Sequence, residues 1–211
     1  MNTAENLHGF LGEYLSLFAN AEIFVFVFME IVTKLEPIQR VMIKRANLYD
    51  YAAFILLFGG FSIFGTYIGI PVSSGGISNV RDLSPMVAGL VAGPVVGGAV
   101  GLIGGIHRYT LGGVTCLACS LATFLAGVLA GLVYRLTHEK VIGIIPAMLF
   151  AIGIELIHAA IALAISRPYS AALEVVQTAI PPMIIANSLG LGISIIVIHS
   201  TKISLATLQK E

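Results

Sequence analysis

Two arginines, a cysteine and a threonine lie among apolar residues of this chain, and these residue types suit holding an anion better than breaking a bond. Arg81 stands in Asn79-Val80-Arg81, just before a long apolar run, and Arg108 in His107-Arg108-Tyr109, just after it. A guanidinium presents a planar fork of N–H donors that fits a carboxylate through two parallel contacts. Asn79 and Tyr109 give each arginine a hydrogen-bonding neighbour. Cys119 and Thr123 are four residues apart and so share a helix face, where they suit the lining of a polar cavity. Ionisable groups at membrane depth cost about 2.5–3.5 kcal/mol on insertion scales, which makes them functional candidates by default. The other reading of both arginines is that they snorkel to lipid headgroups. On one straight helix the pair would be ~30 Å apart, so a shared site requires a re-entrant or inward-folded segment.

Glu155 and His158, three apart, also share a face. They are either a mutually satisfied pair or a proton-sensitive element coupled to a ligand or to movement. Asn187 and Ser188 form a further polar patch, of the kind that bridges membrane helices. Cys116 and Cys119 form a single C-x-x-C inside an apolar run. With no second such pair and nothing to fix His107 or His158 beside them, they read as small packing residues, and no metal or cofactor is expected. There is no Ser/His/Asp arrangement, no phosphate-cradling loop and no kinase motif, so the chain is not expected to be an enzyme itself. Eleven basic and eleven acidic residues cancel, leaving no electrostatic footprint for nucleic acid.

The elements that must position these groups are membrane helices. The 211 residues are 57% hydrophobic and only 10% charged, with a mean hydropathy of +0.97. A crossing takes ~20 apolar residues, and long unbroken apolar runs exclude the short alternating segments of a barrel. The expectation is an all-α integral membrane domain, one unit over 1–211, with six spans at approximately 11–33, 51–70, 85–106, 113–134, 141–166 and 181–199. The loop before the third contains Ser73-Ser74-Gly75-Gly76, and the sixth opens at Pro181-Pro182. Gly89, Gly93, Gly97, Gly101 and Gly105 recur every four residues, and Gly127 and Gly131 repeat the interval. Such a ridge invites close helix contact, and it also leaves grooves in which a ligand can approach the backbone. Six spans put both termini on one side. The basic residues then divide almost evenly, Arg81, Arg135, Lys140, Lys202 and Lys210 on that side and the other six opposite, so charge does not orient the bundle.

FGTYIGIPV, the N-x-R at Asn79 to Arg81, AGLVAGPVVGG, GGIHRYTLGG, Cys119, AGVLAGL and PPMIIANSLG together resemble the five-transmembrane receptor region of LytS-type sensor histidine kinases. The resemblance implies an input domain in the bacterial inner membrane, with cytoplasmic termini, that anchors a cytoplasmic kinase module acting as a homodimer on a LytTR-type response regulator. It implies a small carboxylate such as pyruvate as ligand, and roles in carbon-source sensing or cell-wall control. Carried over position by position, Arg81, Arg108 and Cys119 match the family's binding positions. A serine expected three residues after the cysteine is Ala122 here, with Ser120 and Thr123 adjacent, which bears on ligand preference. Asn79 and Thr123 complete the expected site, with Glu155, His158 and Asn187 as cavity or coupling residues. The membrane portion also resembles the substrate-capture subunits of energy-coupling-factor transporters. A capture or transport role is therefore the alternative, and uptake into proteoliposomes would separate the two.

Overall fold

A Gly-Pro pair in the middle of an apolar run decides how this chain folds. The computed structural model describes the backbone of residues 3–71 and 77–208, with side chains at 18–69 and 78–207; the expected loop Ser73-Ser74-Gly75-Gly76 lies outside the described residues. The elements are α1 (Thr3–Val32), α2 (Glu36–Met42), α3 (Leu48–Tyr67), β1 (Ile70–Pro71), β2 (Ile77–Ser78), α4 (Leu83–Ala92), α5 (Pro94–Thr110), α6 (Cys116–Leu136), α7 (Ile144–Ile165) and α8 (Tyr169–Leu208). β1 and β2 form a two-residue antiparallel ladder, and all else is helical. Among the described residues α3, α6, α7 and α8 are each long and apolar enough to cross a membrane. The protein is an all-α membrane protein.

The third expected span, 85–106, is two helices. Gly93 ends α4 and begins α5 with φ 88°, a conformation that favours glycine, and Pro94 fits the first position of the new helix. The chain reverses there. A methyl group on Gly97 would fall 2.7 Å from the Gly89 Cα, and one on Gly104 would strike the Ser62 hydroxyl, which donates to the Arg81 carbonyl. Residue 104 is therefore level with residue 81. Both legs pack on α6 but in opposite directions. Along α4, Gly89 meets Ala130 and Gly93 meets Tyr134; along α5, Gly97 meets Gly127, Gly101 meets the Thr123 carbonyl and Gly105 the Ser120 carbonyl. The four-residue glycine interval thus marks two helices facing one partner. Leu83 to Val91 are all buried. At ten residues α4 covers ~15 Å, half of a ~30 Å hydrocarbon core.

The remaining helices clasp this hairpin. α1 runs antiparallel to α3 through ring contacts, Phe24 tilted on Phe64 at 4.5 Å and Phe28 stacked on Phe61 at 4.2 Å between centroids. Asn47 and Asp50 form a reciprocal capping box that starts α3. The helix holding the sixth expected segment begins at Tyr169, twelve residues ahead of Pro181-Pro182, and keeps both prolines in its interior. Membrane helices tolerate this because surrounding protein satisfies the freed backbone groups. At 40 residues α8 is ~60 Å long, about twice a hydrocarbon core.

One end of the bundle gathers α2, the start of α3, the end of α6, the start of α7 and the late part of α8. Lys44 pairs with Glu139 at 2.8 Å and lies over the Tyr134 ring, and His199 meets the Ile142 carbonyl. The Lys44 ammonium holds the Glu139 carboxyl below its usual range. The opposite end gathers Ile68, Asn79, the turn after α5 and the start of α8. Lys34, Arg40, Lys44, Arg45, Arg135, Lys140 and Lys202 sit toward the first end; Arg81, Arg108 and Arg167 sit toward the second. Because the hairpin adds a leg, α1 and α8 run in the same direction, and residues 3 and 208 lie at opposite ends of the bundle. The layout therefore departs from six uninterrupted spans with both termini on one side.

The packing makes a contrast testable. Gly101→Ala places a methyl 2.6 Å from the Thr123 carbonyl, whereas the same change at Gly60 meets nothing within 4 Å. We expect Gly101→Ala to destabilise by about 1–3 kcal/mol and Gly60→Ala to leave the thermal transition of the detergent-solubilised protein unchanged or raised.

Candidate functional site

Arg81 and Asp82 close the extended segment before α4 and point into the bundle, each 0% exposed. The local backbone is tied down first. The Asn79 side-chain oxygen accepts from the Arg81 N–H at 3.1 Å, the Val80 N–H reaches the Gly65 carbonyl, and Ser62 caps the Arg81 carbonyl. Arg81 Nε donates to Thr123 Oγ1 at 2.9 Å and lies 3.5 Å from Asp82 Oδ1. The Thr123 hydroxyl in turn has Asp82 Oδ1 at 2.5 Å and its own helix's Cys119 carbonyl at 2.9 Å as acceptors. Both terminal guanidinium nitrogens of Arg81 are buried without a hydrogen-bond partner.

Asp82 also reaches across to α7, where its Oδ2 is 3.0 Å from His158 Nδ1. Glu155 Oε2 lies 3.6 Å from the same nitrogen. Asn187 of α8 closes the cluster: its Nδ2 lies 2.9 Å from Glu155 Oε1, 3.1 Å from the Asn79 carbonyl and 3.1 Å from the Met183 carbonyl. Its two N–H groups thus serve three acceptors on α7, α8 and the segment before α4. Asp82, Glu155 and His158 offer ligand atoms within 4.8 Å of one another, a spacing a metal ion can bridge. Against such use, Arg81 already supplies positive charge at Asp82, and the inward imidazole nitrogen is engaged by the Asp82 carboxylate.

Above this cluster lies a small, partly open cavity of about 30 Å³. Its polar lining is Asn79, Arg108, Thr115, Cys119 and His158, and much of its apolar wall comes from the first turns of α8. Arg108 comes from the last turn of α5, where its Nη1 donates to the Gly112 carbonyl at 2.7 Å and its Nη2 lies 3.4 Å from Thr115 Oγ1. Cys119 shares this lining with Arg108 and His158. The hairpin is what brings the arginines together. With residue 104 level with residue 81, Arg108 is one helical turn further on, about 5–6 Å along the axis, in place of the ~30 Å of a straight span.

Of the residues singled out from the sequence, Asn79, Arg108, Cys119 and His158 line the cavity, and Arg81, Thr123, Glu155 and Asn187 form the layer beneath it. Cys116 is not part of the lining, and Ala122 is buried away from it. Sequence reasoning passed over Asp82, which joins Arg81, Thr123 and His158. Its signal was present: a carboxylate beside an arginine, in apolar surroundings. It also passed over the α8 wall, although Val175, Val176, Ala179, Ile180 and Met183 follow helical spacing.

A family model described as "5TMR of 5TMR-LYT" matches residues 35–201. "Sensor histidine kinase BtsS" of Escherichia coli (strain K12) is 39% identical over 140 residues, covering 64% of this chain and 25% of that protein. "Sensor protein LytS" of Bacillus subtilis (strain 168) is 36% identical over 171 residues, covering 71% of this chain and 28% of that protein. The chain thus spans about a quarter of the length of these curated relatives. No solved structure matches it significantly. The matched stretch holds the α4–α5 hairpin, the buried cluster and every polar residue of the cavity, and the chain belongs to the 5TMR-LYT family.

Proposed function

We propose that residues 1–211 form the membrane input domain of a sensor histidine kinase, which binds a small carboxylate such as pyruvate in the cavity between Arg108 and the Arg81 cluster. The observation that carries this reading is the Arg81 guanidinium, fully buried with both terminal nitrogens unpartnered. A buried donor of this kind leaves unmade hydrogen bonds worth about 1.5–3 kcal/mol each when an ionised group is involved. A carboxylate supplies two acceptors at the matching spacing. Arg108 closes on it from the cavity rim, Cys119 reads the remainder of the molecule, and Thr123 holds Arg81 in place. The ligand acts as a switch, so it must favour one helix arrangement over another; moving the balance from 1:99 to 99:1 takes ~10⁴-fold preference. The wall that α8 contributes lies mainly ahead of Pro181-Pro182 and Asn187 lies after them, which makes this helix the route toward a cytoplasmic kinase module. In the full system that module works as a homodimer with a response regulator in a two-component pathway.

Charge supports one orientation in the inner membrane. Seven lysines and arginines named above cluster at the end opposite the cavity, and basic residues favour the cytoplasmic side. The cavity then opens outward, and the end of α8 enters the cytoplasm where a kinase belongs. The start of α1 then lies outside, contrary to the resemblance-based expectation that both termini are cytoplasmic.

Two outcomes follow. Thermal unfolding of the detergent-purified chain should shift upward saturably with pyruvate or a related small carboxylate, by mass action, and the shift should vanish in Arg81→Ala and in Arg108→Ala; no shift with any small carboxylate would reject the reading. A phosphatase reporter that is active only outside the cytoplasm should be active when inserted between Gly112 and Gly113 and silent between His138 and Lys140, and the reverse pattern would refute the orientation.

A further inference from the structure

His158 ties α7 to Asp82 and at the same time lines the cavity. Its Nδ1 is 3.0 Å from Asp82 Oδ2 and 3.6 Å from Glu155 Oε2, so this nitrogen carries a proton and points into the cluster. Nε2, on the far edge of the ring, is then its remaining polar atom, and the ring lines the cavity together with Cys119. We propose that His158, oriented by Asp82, is a specificity-determining residue that hydrogen-bonds the oxygen on the carbon next to the ligand's carboxylate. The proposal rests on the carboxylate reading above and assigns the part of the ligand that the two arginines leave unread.

The chemistry follows from the fixed nitrogen. With Nδ1–H committed to Asp82, Nε2 donates when the ring is charged and accepts when it is neutral. A 2-oxo group only accepts, so a 2-oxo acid requires the charged ring. A 2-hydroxy group both donates and accepts, so a 2-hydroxy acid fits either state. The affinity of the 2-oxo acid relative to the 2-hydroxy acid is therefore highest in acid and falls as pH rises and the ring gives up its proton. The charged or titratable groups facing the ring are Asp82 and Arg81 before α4, Arg108 at the end of α5, Cys119 of α6 and Glu155 of α7 itself, while α8 brings the neutral Asn187. Both acids carry one carboxylate, so titration of the groups that face it cancels in the ratio of their affinities; Cys119 faces the remainder of the ligand as well, and in Cys119→Ala the slope should persist.

The test is the affinity ratio of pyruvate to lactate for the full chain in lipid nanodiscs, from about pH 6 to about pH 10. Above the ring's titration the ratio should fall by up to about tenfold per pH unit. His158→Gln, whose amide is spent on Asp82, should give a ratio that is flat with pH. A flat ratio in the unaltered protein, or an unaltered slope in His158→Gln, overturns the assignment. If that variant does not fold, Asp82→Asn serves in its place, since the freed ring can exchange tautomers and the slope should shrink; a slope equal to that of the unaltered protein again overturns it. Binding of both acids with no pH slope rejects His158 alone, whereas no binding of either acid rejects the carboxylate reading with it.

Discussion

Arg81 and Asp82 are adjacent, oppositely charged and fully buried, and much of the fold can be understood as what it takes to keep them so. Removing an ion from water costs several kcal/mol after relaxation, and the partner's attraction offsets this only with good geometry and further hydrogen bonds. Thr123 supplies one such bond and His158 another. Placing those partners around the pair requires α6 and α7 to converge at the point where α4 begins, inside the bundle. A helix starting there leaves its first N–H groups and the preceding backbone at membrane depth, which is tolerable only where protein surrounds them. The bonds from Ser62, Asn79 and Val80 meet that need.

The glycine hairpin is the second half of the same solution. A side chain on the facing surfaces of α4, α5 or α6 would separate the backbones, lift Thr123 away from Arg81 and widen the space beneath the cavity. Close approach between backbones substitutes for the hydrophobic drive that lipid surroundings remove. It also explains why Gly93 fits the four-residue interval: it faces Tyr134 and Gly131 of α6 and is the turn about which the two legs are paired.

Much of this was legible in the sequence, and the misreadings have physical causes. Composition fixed the class, and the arginines, Cys119, Thr123, Glu155, His158 and Asn187 stood out because polar groups among apolar residues need partners. The hairpin was hidden because apolar periodicity carries no direction: a run that reverses at Gly93-Pro94 has the same hydropathy as one that goes straight. From that single ambiguity came the reading of 85–106 as one span, on which Arg81 and Arg108 share a site only through an inward-folded segment. The apparent tie in the distribution of basic residues came from it too, since each residue after the missed reversal was assigned to the opposite end. The opening of α8 was misjudged by treating Pro181-Pro182 as a start signal, which holds for helices in water and weakens where neighbouring helices surround the gap.

Those prolines also bear on how the site could communicate. Two missing rungs in the backbone ladder make α8 easier to bend there than elsewhere along its length. Ahead of that point the helix touches the cavity through Val175, Val176, Ala179 and Ile180; one turn beyond it Asn187 grips Glu155 and the Asn79 carbonyl. Asn79 belongs to both sets, lining the cavity with its residue and holding α8 with its carbonyl. A group that enters the cavity therefore presses on α8 from two places, on either side of its softest point. Asn187 has three acceptors for two N–H groups, an arrangement compatible with a bend at the prolines that leaves the buried charge cluster intact. The glycine-packed α4 to α6 and the proline-containing α8 are thus tied by the Asn187 amide as well as by packing such as Leu83 against Gly190.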